Sequence, residues 1–259
     1  MLSEENLDEV VSKVTYWIYE YVRNSGAKGV VVGNSGGKDS AVVIALSVKA
    51  LGNQNVITVG LPCESSPSDL EYAKLVADTF DVPLLEIELS GTYSVLERKI
   101  SQELRKHGMS EHISKEAGIN MKPRLRMTSL YSIAQTMGYL VIGTSNLSEI
   151  MVGYTTKWGD AFCDFNPIAN FTAEEVKLIG KYLGVPEIII ERPPDDGLSS
   201  QTDEEKMGVT YANISEYINT GNTDNDAMEK IERMNKASIH KRETIPGYDF
   251  ERNNYLKKL

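Results

Sequence analysis

The sequence predicts an α/β protein built on a doubly wound, mainly parallel sheet that is flanked by helices. Three observations predict this class: short apolar runs recur along the chain, helix-like segments separate them, and a glycine-rich turn follows the first run. Residues 30–32 and 140–142 are apolar at every position, which is typical of parallel strands covered on both faces. Alternation of such strands with helices indicates a parallel sheet.

Four strands and three helices follow from this alternation. The strands are expected at 29–33, 55–60, 83–89 and 139–143, and the helices at 40–52, 66–80 and 122–138. Gly52 and Gly138 stand where a glycine commonly ends a helix. Ser66 is a favourable N-cap for the second helix, and Pro67 suits its first turn.

The C-terminal part has a different composition. Residues 190–204 are rich in Pro, Gly, Ser and Asp, which predicts a linker or a mobile loop over a site. After them, 203–218 and 225–240 show the apolar spacing of helices. A tail of about 55 residues would form only a marginal core by itself. We therefore expect one domain over 1–259, with a helical segment 204–259 packed on it.

Composition limits the partners and the location. A formal net charge of -10 disfavours binding to nucleic acid and to anionic membranes. No apolar run approaches the roughly 20 residues of a membrane span, and the acidic N-terminus does not resemble a signal peptide. Two cysteines, Cys63 and Cys163, and three histidines lack the spacing of a zinc site. We expect a cytoplasmic protein that binds neither nucleic acid nor membrane.

The turn after the first strand reads "GNSGGKDS" and covers 33–40. It is not a Walker A loop, because only three residues separate Gly33 from Gly37, and Asp39 stands where Ser or Thr is required. Glycines at 36 and 37 nevertheless allow several backbone N–H groups to point at one anion. The next helix adds the positive end of its dipole. The turn therefore predicts a phosphate site at the carboxyl edge of the sheet.

The stretch "SGGKDS" resembles the "SGGxDS" signature of the ATP pyrophosphatase, or PP-loop, superfamily, whose fold is described as adenine nucleotide alpha hydrolase-like. The resemblance implies that ATP is cleaved between its α- and β-phosphates, that AMP passes to a substrate oxygen, and that this loop holds pyrophosphate. The ATP-binding residues that it implies are Gly33, Asn34, Ser35, Gly36, Gly37, Lys38, Asp39 and Ser40. A carboxylate beside polyphosphate suits Mg²⁺, so Asp39 is expected to bind this metal.

Four later segments resemble the ammonia-dependent NAD synthetases within that superfamily. In chain order they are "GTSNLSE" at 143–149, "GYTTKWGD" at 153–160, "QTDEEKMGVTYANISEY" at 201–217 and "HKR" at 240–242. The resemblance runs from about residue 25 to 245. It implies that ATP activates the carboxylate of deamido-NAD as an acyl-adenylate, with release of pyrophosphate. Ammonia then attacks to give NAD and AMP, with Mg²⁺ as the cofactor.

The same resemblance implies roles for individual residues. The catalytic residues are expected to be Asp39, Glu149, Asp160 and Lys157, with Asp39 and Glu149 as the metal ligands and Asp160 near the ammonia. Thr144 and Asp195 are expected to contact ATP, and Arg124, Lys157, Asp164, His240 and Lys241 to contact the dinucleotide. From the residues alone, Glu149 could instead be a surface residue on a short helix, and Arg124 a solvated arginine.

Three departures from the family pattern fall among these positions. Ala173 stands where the family has a lysine that contacts ATP, and Lys177, one helical turn away, is a candidate replacement. Asp195 stands where the family has a hydroxyl, and "AF" at 161–162 replaces two small residues near the ammonia. Three accounts are open: local compensation, a paralogue that amidates another carboxylate, and a weakly catalytic nucleotide-binding relative.

The nitrogen source and the assembly are also expectations. Glutamine-using relatives carry an additional amidase domain, for which 259 residues leave no room, so free ammonia is expected. Family members are homodimers with the dinucleotide site at the interface, and the same is expected of this chain. The apolar stripe on the N-terminal helix could form that interface or pack on its own sheet. This stripe comprises Val10, Val14, Trp17, Ile18 and Tyr21.

Overall fold

The computed structural model describes residues 2–192 and 202–248. Their four strands form one sheet in the order β3-β2-β1-β4. The strands are β1 (Val30–Gly33), β2 (Val56–Gly60), β3 (Leu84–Glu86) and β4 (Leu140–Ile142). Every neighbouring pair is parallel. The predicted α/β class with a parallel sheet is therefore confirmed, although β3 is shorter than the run 83–89 that predicts it.

Helices fill the connections and the C-terminal part. Those before β4 are α1 (Leu7–Ser25), α2 (Lys38–Leu51), α3 (Pro67–Thr79), α4 (Ser90–Lys106) and α5 (Lys115–Met137). Those after it are α6 (Leu147–Val152), α7 (Ala173–Tyr182), α8 (Glu187–Ile190), α9 (Asp203–Met207), α10 (Tyr211–Thr220) and α11 (Asn225–Ala237). Two 3₁₀ turns cover Asn53–Asn55 and Ile239–Lys241.

Three helices differ from their predictions for identifiable reasons. The segment expected as one helix over 203–218 is two helices, because Gly208 adopts the left-handed conformation (φ 67°) and ends α9. Helix α5 begins well before residue 122, at Lys115, and the hydroxyl of the N-cap Ser114 accepts from Ala117 N. Helix α4 has no counterpart among the predictions, and Ser101 is its only buried residue.

The sheet has an apolar core on each of its faces. Val30 and Val32 pack with α1, α2 and α7 on one face, whereas Val31 packs with α5 on the other. All three valines are fully buried, because alternate side chains of a strand point to opposite faces. Helix α2 is buried from Ser40 to Ser47. This central position fixes the turn between β1 and α2 at the carboxyl edge of the sheet.

The C-terminal helices extend the structure beside that edge. Ile214 of α10 and Ile231 of α11 are fully buried with Val152 of α6 and Ala173 of α7 in a third apolar cluster. The cluster brings α9, α10 and the 3₁₀ turn towards the loops that follow β1 and β4. Over the described residues, no helix combines the length and the apolar content needed to cross a membrane.

Candidate active site

A cavity of about 620 Å³ opens at the carboxyl ends of β1, β2 and β4. Its walls include the turn 33–40, the segment 142–145 after β4, and residues of α3, α5, α6 and α9. Parallel sheets bind ligands at this edge, and the volume is typical of a small-molecule site. The structure thus places the predicted phosphate turn on a cavity large enough for a nucleotide.

The turn is shaped by one buried asparagine and one glycine. Asn34 donates through Nδ2 to Ala73 O (2.8 Å) and accepts through Oδ1 from Gly36 N (3.1 Å). Gly36 has φ 71°, and a Cβ on it would lie 2.6 Å from Tyr72 Cβ and 2.8 Å from Ala73 N. No other residue type fits there without moving α3. The turn is therefore held rigidly against the helix that follows β2.

Hydroxyls and amides of the turn line the cavity. Ser35 Oγ accepts from Gly37 N (3.2 Å) and lies 3.1 Å from Ser40 Oγ. Helix α2 begins at Lys38, directly after Gly37, so its first N–H groups lack acceptors within the helix. Free amides and the positive end of the helix dipole suit an anion.

Lys38 is a buried cation at the start of α2. It is 7% exposed, and its Nζ donates to Asp39 Oδ2 at 2.7 Å. Burial by itself lowers the pKa of Lys38, but the carboxylates of Asp39 and Glu149 outweigh it, so the pKa is raised. Lys38 therefore carries its positive charge at neutral pH, 5.6 Å from the ring centroid of Tyr211.

Asp39, in the first turn of α2, and Glu149, on α6, come together at this edge. Asn146 lies between them: its Nδ2 donates to Asp39 Oδ1 (3.0 Å), and its backbone N donates to Glu149 Oε2 (3.0 Å). Burial and the repulsion of Asp39 raise the pKa of Glu149 well above its ordinary value. Glu149 does lie on the short helix α6, but it lines the cavity.

This pair of carboxylates fits Mg²⁺. The ion favours oxygen ligands and is usually held by one or two carboxylates together with substrate phosphates. Within residues 2–192 and 202–248, no group of three or more His, Cys, Asp or Glu side chains is arranged to hold a metal. Two carboxylates beside the predicted phosphate turn are a suitable donor set for a Mg²⁺ ion that is also bound by substrate phosphates.

Asp160 and Lys241 form another part of the wall. Asp160 Oδ1 accepts from Thr156 N (2.9 Å), and desolvation by the surrounding protein raises the pKa of Asp160. Lys241 Nζ donates to Gly153 O (2.8 Å) and Thr155 O (2.7 Å). Partial burial lowers the pKa of Lys241. This wall therefore presents a carboxylate and a cation whose charges are not paired directly.

A smaller cavity of about 250 Å³ adjoins this wall. Asp160, Lys241 and Phe162 line both cavities. The ring of Phe162 packs against Trp158 with centroids 4.2 Å apart. The departure at Phe162 therefore places an aromatic ring at the boundary between the two cavities.

Three predicted dinucleotide residues lie together outside the large cavity. Arg124 Nε donates to Lys157 O (3.1 Å), and Lys157 Nζ donates to His240 O (2.7 Å). Arg124 and His240 are exposed, and Lys157 is half-buried. Both cations use main-chain carbonyls as their acceptors. The structure thus brings these three residues to one surface strip, which we call the basic strip.

The remaining predicted residues are placed as follows. Thr144 lines the large cavity. Asp164 does not: its carboxylate accepts from Tyr131 Oη (3.2 Å) and from Val141 N (2.7 Å). Asp195 lies outside the described residues.

Lys177, the candidate replacement for the charge missing at Ala173, lies on α7. Lys177 pairs with Glu174 at 3.4 Å and does not line the cavity. Ala173 is 1% exposed and packs in the third apolar cluster. Cations from other elements line the described part of the wall instead. They are Lys38, Arg126, Arg192, Lys206 and Lys241.

The sequence did not identify Asn146 or three of these cations, which are Arg126, Arg192 and Lys206. Arg126 donates to Leu61 O and Ser65 Oγ, both at 3.0 Å, and so holds the loop after β2. Arg192 pairs with Asp69 and lies over the ring of Tyr72. No local pattern marks Arg126 or Arg192. Asn146 stood within a quoted motif, where its position as an N-cap three residues before Glu149 was a usable signal.

Known proteins resemble the chain along most of its length. The family model described as NAD synthase matches residues 10–245. An NH(3)-dependent NAD(+) synthetase of Syntrophomonas wolfei is 39% identical over 242 residues, which cover 93% of this chain and 96% of that protein.

Two solved structures are similar over equally long stretches. NMN synthetase from Francisella tularensis has a TM-score of 0.88 at 31% identity, with 96% of this chain and 100% of that chain covered. The NH3-dependent NAD synthetase from Campylobacter jejuni, in complex with the nitrate ion, has a TM-score of 0.75 at 28% identity, with coverages of 94% and 99%.

Proposed function

Because the chain belongs to the NAD synthase family, we propose that it catalyses the ATP-dependent amidation of deamido-NAD to NAD in the cytoplasm. Free ammonia supplies the nitrogen, and AMP and pyrophosphate are released. The observation that carries the proposal is the meeting of the phosphate-binding turn with Asp39 and Glu149 in one cavity. This arrangement provides for a departing diphosphate and for its metal at the same edge of the sheet.

In the first step, a carboxylate oxygen of deamido-NAD attacks the α-phosphorus of ATP, and the bond to the bridging oxygen of the β-phosphate breaks. The first N–H groups of α2 and the ammonium group of Lys38 bind the pyrophosphate as it takes the electron pair. Asp39 and Glu149 would hold Mg²⁺, which would supply neutralising charge to the polyphosphate. Thr144 contacts ATP from the end of β4.

In the second step, ammonia attacks the carbonyl carbon of the acyl-adenylate, the bond to the AMP oxygen breaks, and the nitrogen loses a proton. We assign Asp160 to the ammonia side, where its carboxylate can receive that proton. Its raised pKa favours this role, because a base with a higher pKa accepts a proton more readily. Lys241, on the same wall, is assigned to the dinucleotide.

The basic strip receives the rest of the dinucleotide in this proposal. Arg124, Lys157 and His240 lie on the surface beside the cavity, where guanidinium and ammonium groups suit phosphate oxygens. Asp164 lies on another part of the surface. We assign it to dinucleotide binding as well, because of the family resemblance. Its backbone carbonyl accepts from Tyr21 Oη (3.0 Å), which connects it with α1.

We propose a homodimer that uses the exposed aromatic face of α1. Trp17 and Tyr21 contact Phe165, and Tyr16 beside them is 66% exposed. Ile18, which belongs to the same predicted stripe, is instead buried with Val11 on the buried side of the helix. Aromatic side chains are enriched in interfaces of this kind. Trp17→Glu should therefore give a monomer in light scattering, whereas Tyr182→Glu, on α7, should remain dimeric.

The similarity to NMN synthetase favours a second candidate function. That structure has the higher TM-score of the two reported above, and NMN differs from its acid by the same amidation. In this alternative the substrate is nicotinate mononucleotide, and the loop, Asp39 and Glu149 act as described. The basic strip would then contribute little to binding.

One product assay tests both candidates. Purified protein is incubated with ATP, Mg²⁺ and ammonium, with deamido-NAD in one arm and nicotinate mononucleotide in the other. We expect NAD and AMP in equal amounts in the first arm, and a lower kcat/KM in the second. Glutamine in place of ammonium should give no amide. Formation of ADP and orthophosphate, or no nucleotide turnover in either arm, would overturn the proposal.

A further inference from the structure

We propose that Asn146 is a positioning residue that holds the carboxylates of Asp39 and Glu149 in the arrangement needed to bind a divalent cation. It stands after β4, as the residue that precedes α6, and Asp39 stands on α2, 107 positions earlier in the chain. The inference rests on the proposed function in one respect, the assignment of the metal to these two carboxylates.

The Asn146 side chain contacts both acidic residues. Its Nδ2 donates to Asp39 Oδ1 (3.0 Å), and its Oδ1 accepts from Glu149 N (3.1 Å). Its backbone N donates to Glu149 Oε2 at 3.0 Å. The side chain is 0% exposed. A buried amide with both ends bonded cannot turn without leaving a polar group unpaired, which is costly.

The partners themselves dictate which end of the amide faces which acid. The N–H of Glu149 requires an acceptor, so the carbonyl oxygen of Asn146 must face α6. The carboxylate of Asp39 requires a donor, so the NH₂ group must face α2. Both demands are met by one orientation of the amide. Asn146 is therefore locked as a bridge between two acidic residues that repel each other.

Capping of α6 does not account for the whole arrangement. Helix α7 has the same capping box, made by Thr172 and Glu175, with a hydroxyl as the side-chain acceptor. At the start of α7 a hydroxyl oxygen is enough to accept from the backbone N–H of the first turn. An N-cap side chain therefore needs no additional donor group. Asparagine at 146 provides that additional donor and directs it at Asp39. This second bond is the feature that a cap alone leaves unexplained.

The bridge leaves the carboxylates able to bind a cation. Asp39 Oδ1 accepts a hydrogen bond from Asn146 Nδ2, and Asp39 Oδ2 accepts one from Lys38 Nζ at 2.7 Å. Each carboxylate oxygen has room for a second partner. Outer partners of this kind orient metal ligands, and their removal typically weakens metal affinity by about 10- to 100-fold.

Asn146→Ser tests the inference, because serine keeps the capping oxygen but is too short to bond Asp39. The matched control is Thr172→Ala, which weakens the capping box of α7 and leaves both carboxylates untouched. Binding of Mn²⁺ to the protein with ATP present is measured by electron paramagnetic resonance, and the midpoint of thermal unfolding, Tm, without metal. For Asn146→Ser we expect Mn²⁺ affinity to fall by about 10- to 100-fold and activity to recover partly at high Mg²⁺.

Thr172→Ala should lower the Tm and leave Mn²⁺ affinity as in the wild type. An Asn146→Ser protein that is folded and binds Mn²⁺ as tightly as the wild type overturns the inference. If that variant does not fold, Asn146→Thr keeps the cap, fills more of the buried space and is judged by the same measurement. Mn²⁺ binding without any amide product in the wild type would refute the proposed function and leave this inference standing.

Discussion

The ATP side and the dinucleotide side of the proposed site are built in different ways. On the ATP side, Lys38 is buried and the turn before it is fixed by Asn34 and Gly36. On the dinucleotide side, Arg124 and Lys157 lie at the surface and bond main-chain carbonyls. The ATP side is thus organised before any ligand arrives, whereas the cations of the basic strip can turn to new partners at the surface or use their remaining N–H donors.

This difference separates the expected kinetic effects. Charges that are fixed in advance contribute where charge develops in the transition state, and their loss lowers kcat. Cations that change partners contribute mainly to substrate binding, and their loss raises KM. Substitutions on the two sides should therefore fall into two kinetic classes.

The largest effect is expected from Asp39→Asn. The amide keeps the size of the side chain but removes a charge from the pair that is proposed to hold Mg²⁺. We expect kcat for AMP and NAD formation to fall by about 10²- to 10³-fold, with KM for deamido-NAD nearly unchanged. Asp226→Asn, an exposed change in the first turn of α11, should behave as the wild type. A raised KM with normal kcat would remove the distinction between the two sides.

On the other side, Lys157→Ala should raise KM for deamido-NAD by about 10- to 100-fold, because a hydrogen bond to a charged group contributes about 1.5–3 kcal/mol. KM for ATP and kcat should change little. Initial rates with each substrate varied in turn measure this, with Lys236→Ala, at an exposed position of α11, as the control. If kcat falls instead, Lys157 acts on the chemical step and the basic strip belongs with the ATP side.

A smaller effect, on stability, tests how firmly the turn is built. Gly36→Ala places a Cβ against α3 and also requires an unfavourable positive φ, so we expect the free energy of unfolding to fall by more than about 2 kcal/mol. Gly221→Ala is the matched control: its φ is 74°, but a Cβ there meets nothing within 4 Å. Urea unfolding should show a loss of about 1 kcal/mol for this control. Equal losses would mean that the contact with α3 is unimportant.

The smallest effect is a gain in stability from Glu149→Gln. A carboxyl whose pKa is raised by folding stabilises the protein when protonated, and that contribution is lost as the pH rises from its ordinary pKa through the raised one. At neutral pH, without divalent ions, the glutamine variant should therefore melt about 2–4 °C higher than the wild type. The difference should shrink towards pH 4 in scanning calorimetry. A lower melting temperature at pH 8 would contradict this reading of the acidic pair.

Several features were predictable because they depend on short stretches of chain. The three valines of β1 and the turn after it predict a buried parallel strand and a phosphate site. The stretch at 143–149 likewise predicts the loop that carries Thr144 and leads into the helix of Glu149. These predictions concern which loops lie at the sheet edge. They do not specify which atoms meet there.

Features that depend on packing between distant segments were not predictable. Lys177 is one helical turn from Ala173, yet its ammonium group pairs with Glu174, and it is not among the residues that line the cavity. Arg126 reaches the loop after β2 only because α5 lies across the sheet from α2. Spacing along one helix cannot give the position of a second one.

The sequence by itself determined the parallel sheet, the glycine-rich turn and the family, because apolar runs, glycines and motif letters act over a few residues. Only the tertiary structure decided that Asn146 bridges Asp39 and Glu149, and that the basic strip lies apart from the main cavity. Each of these depends on segments separated by tens of positions in the chain. The relative placement of these segments is set by the burial of apolar faces across the whole fold. The polar residues that meet in the site carry no sequence pattern that would reveal this placement.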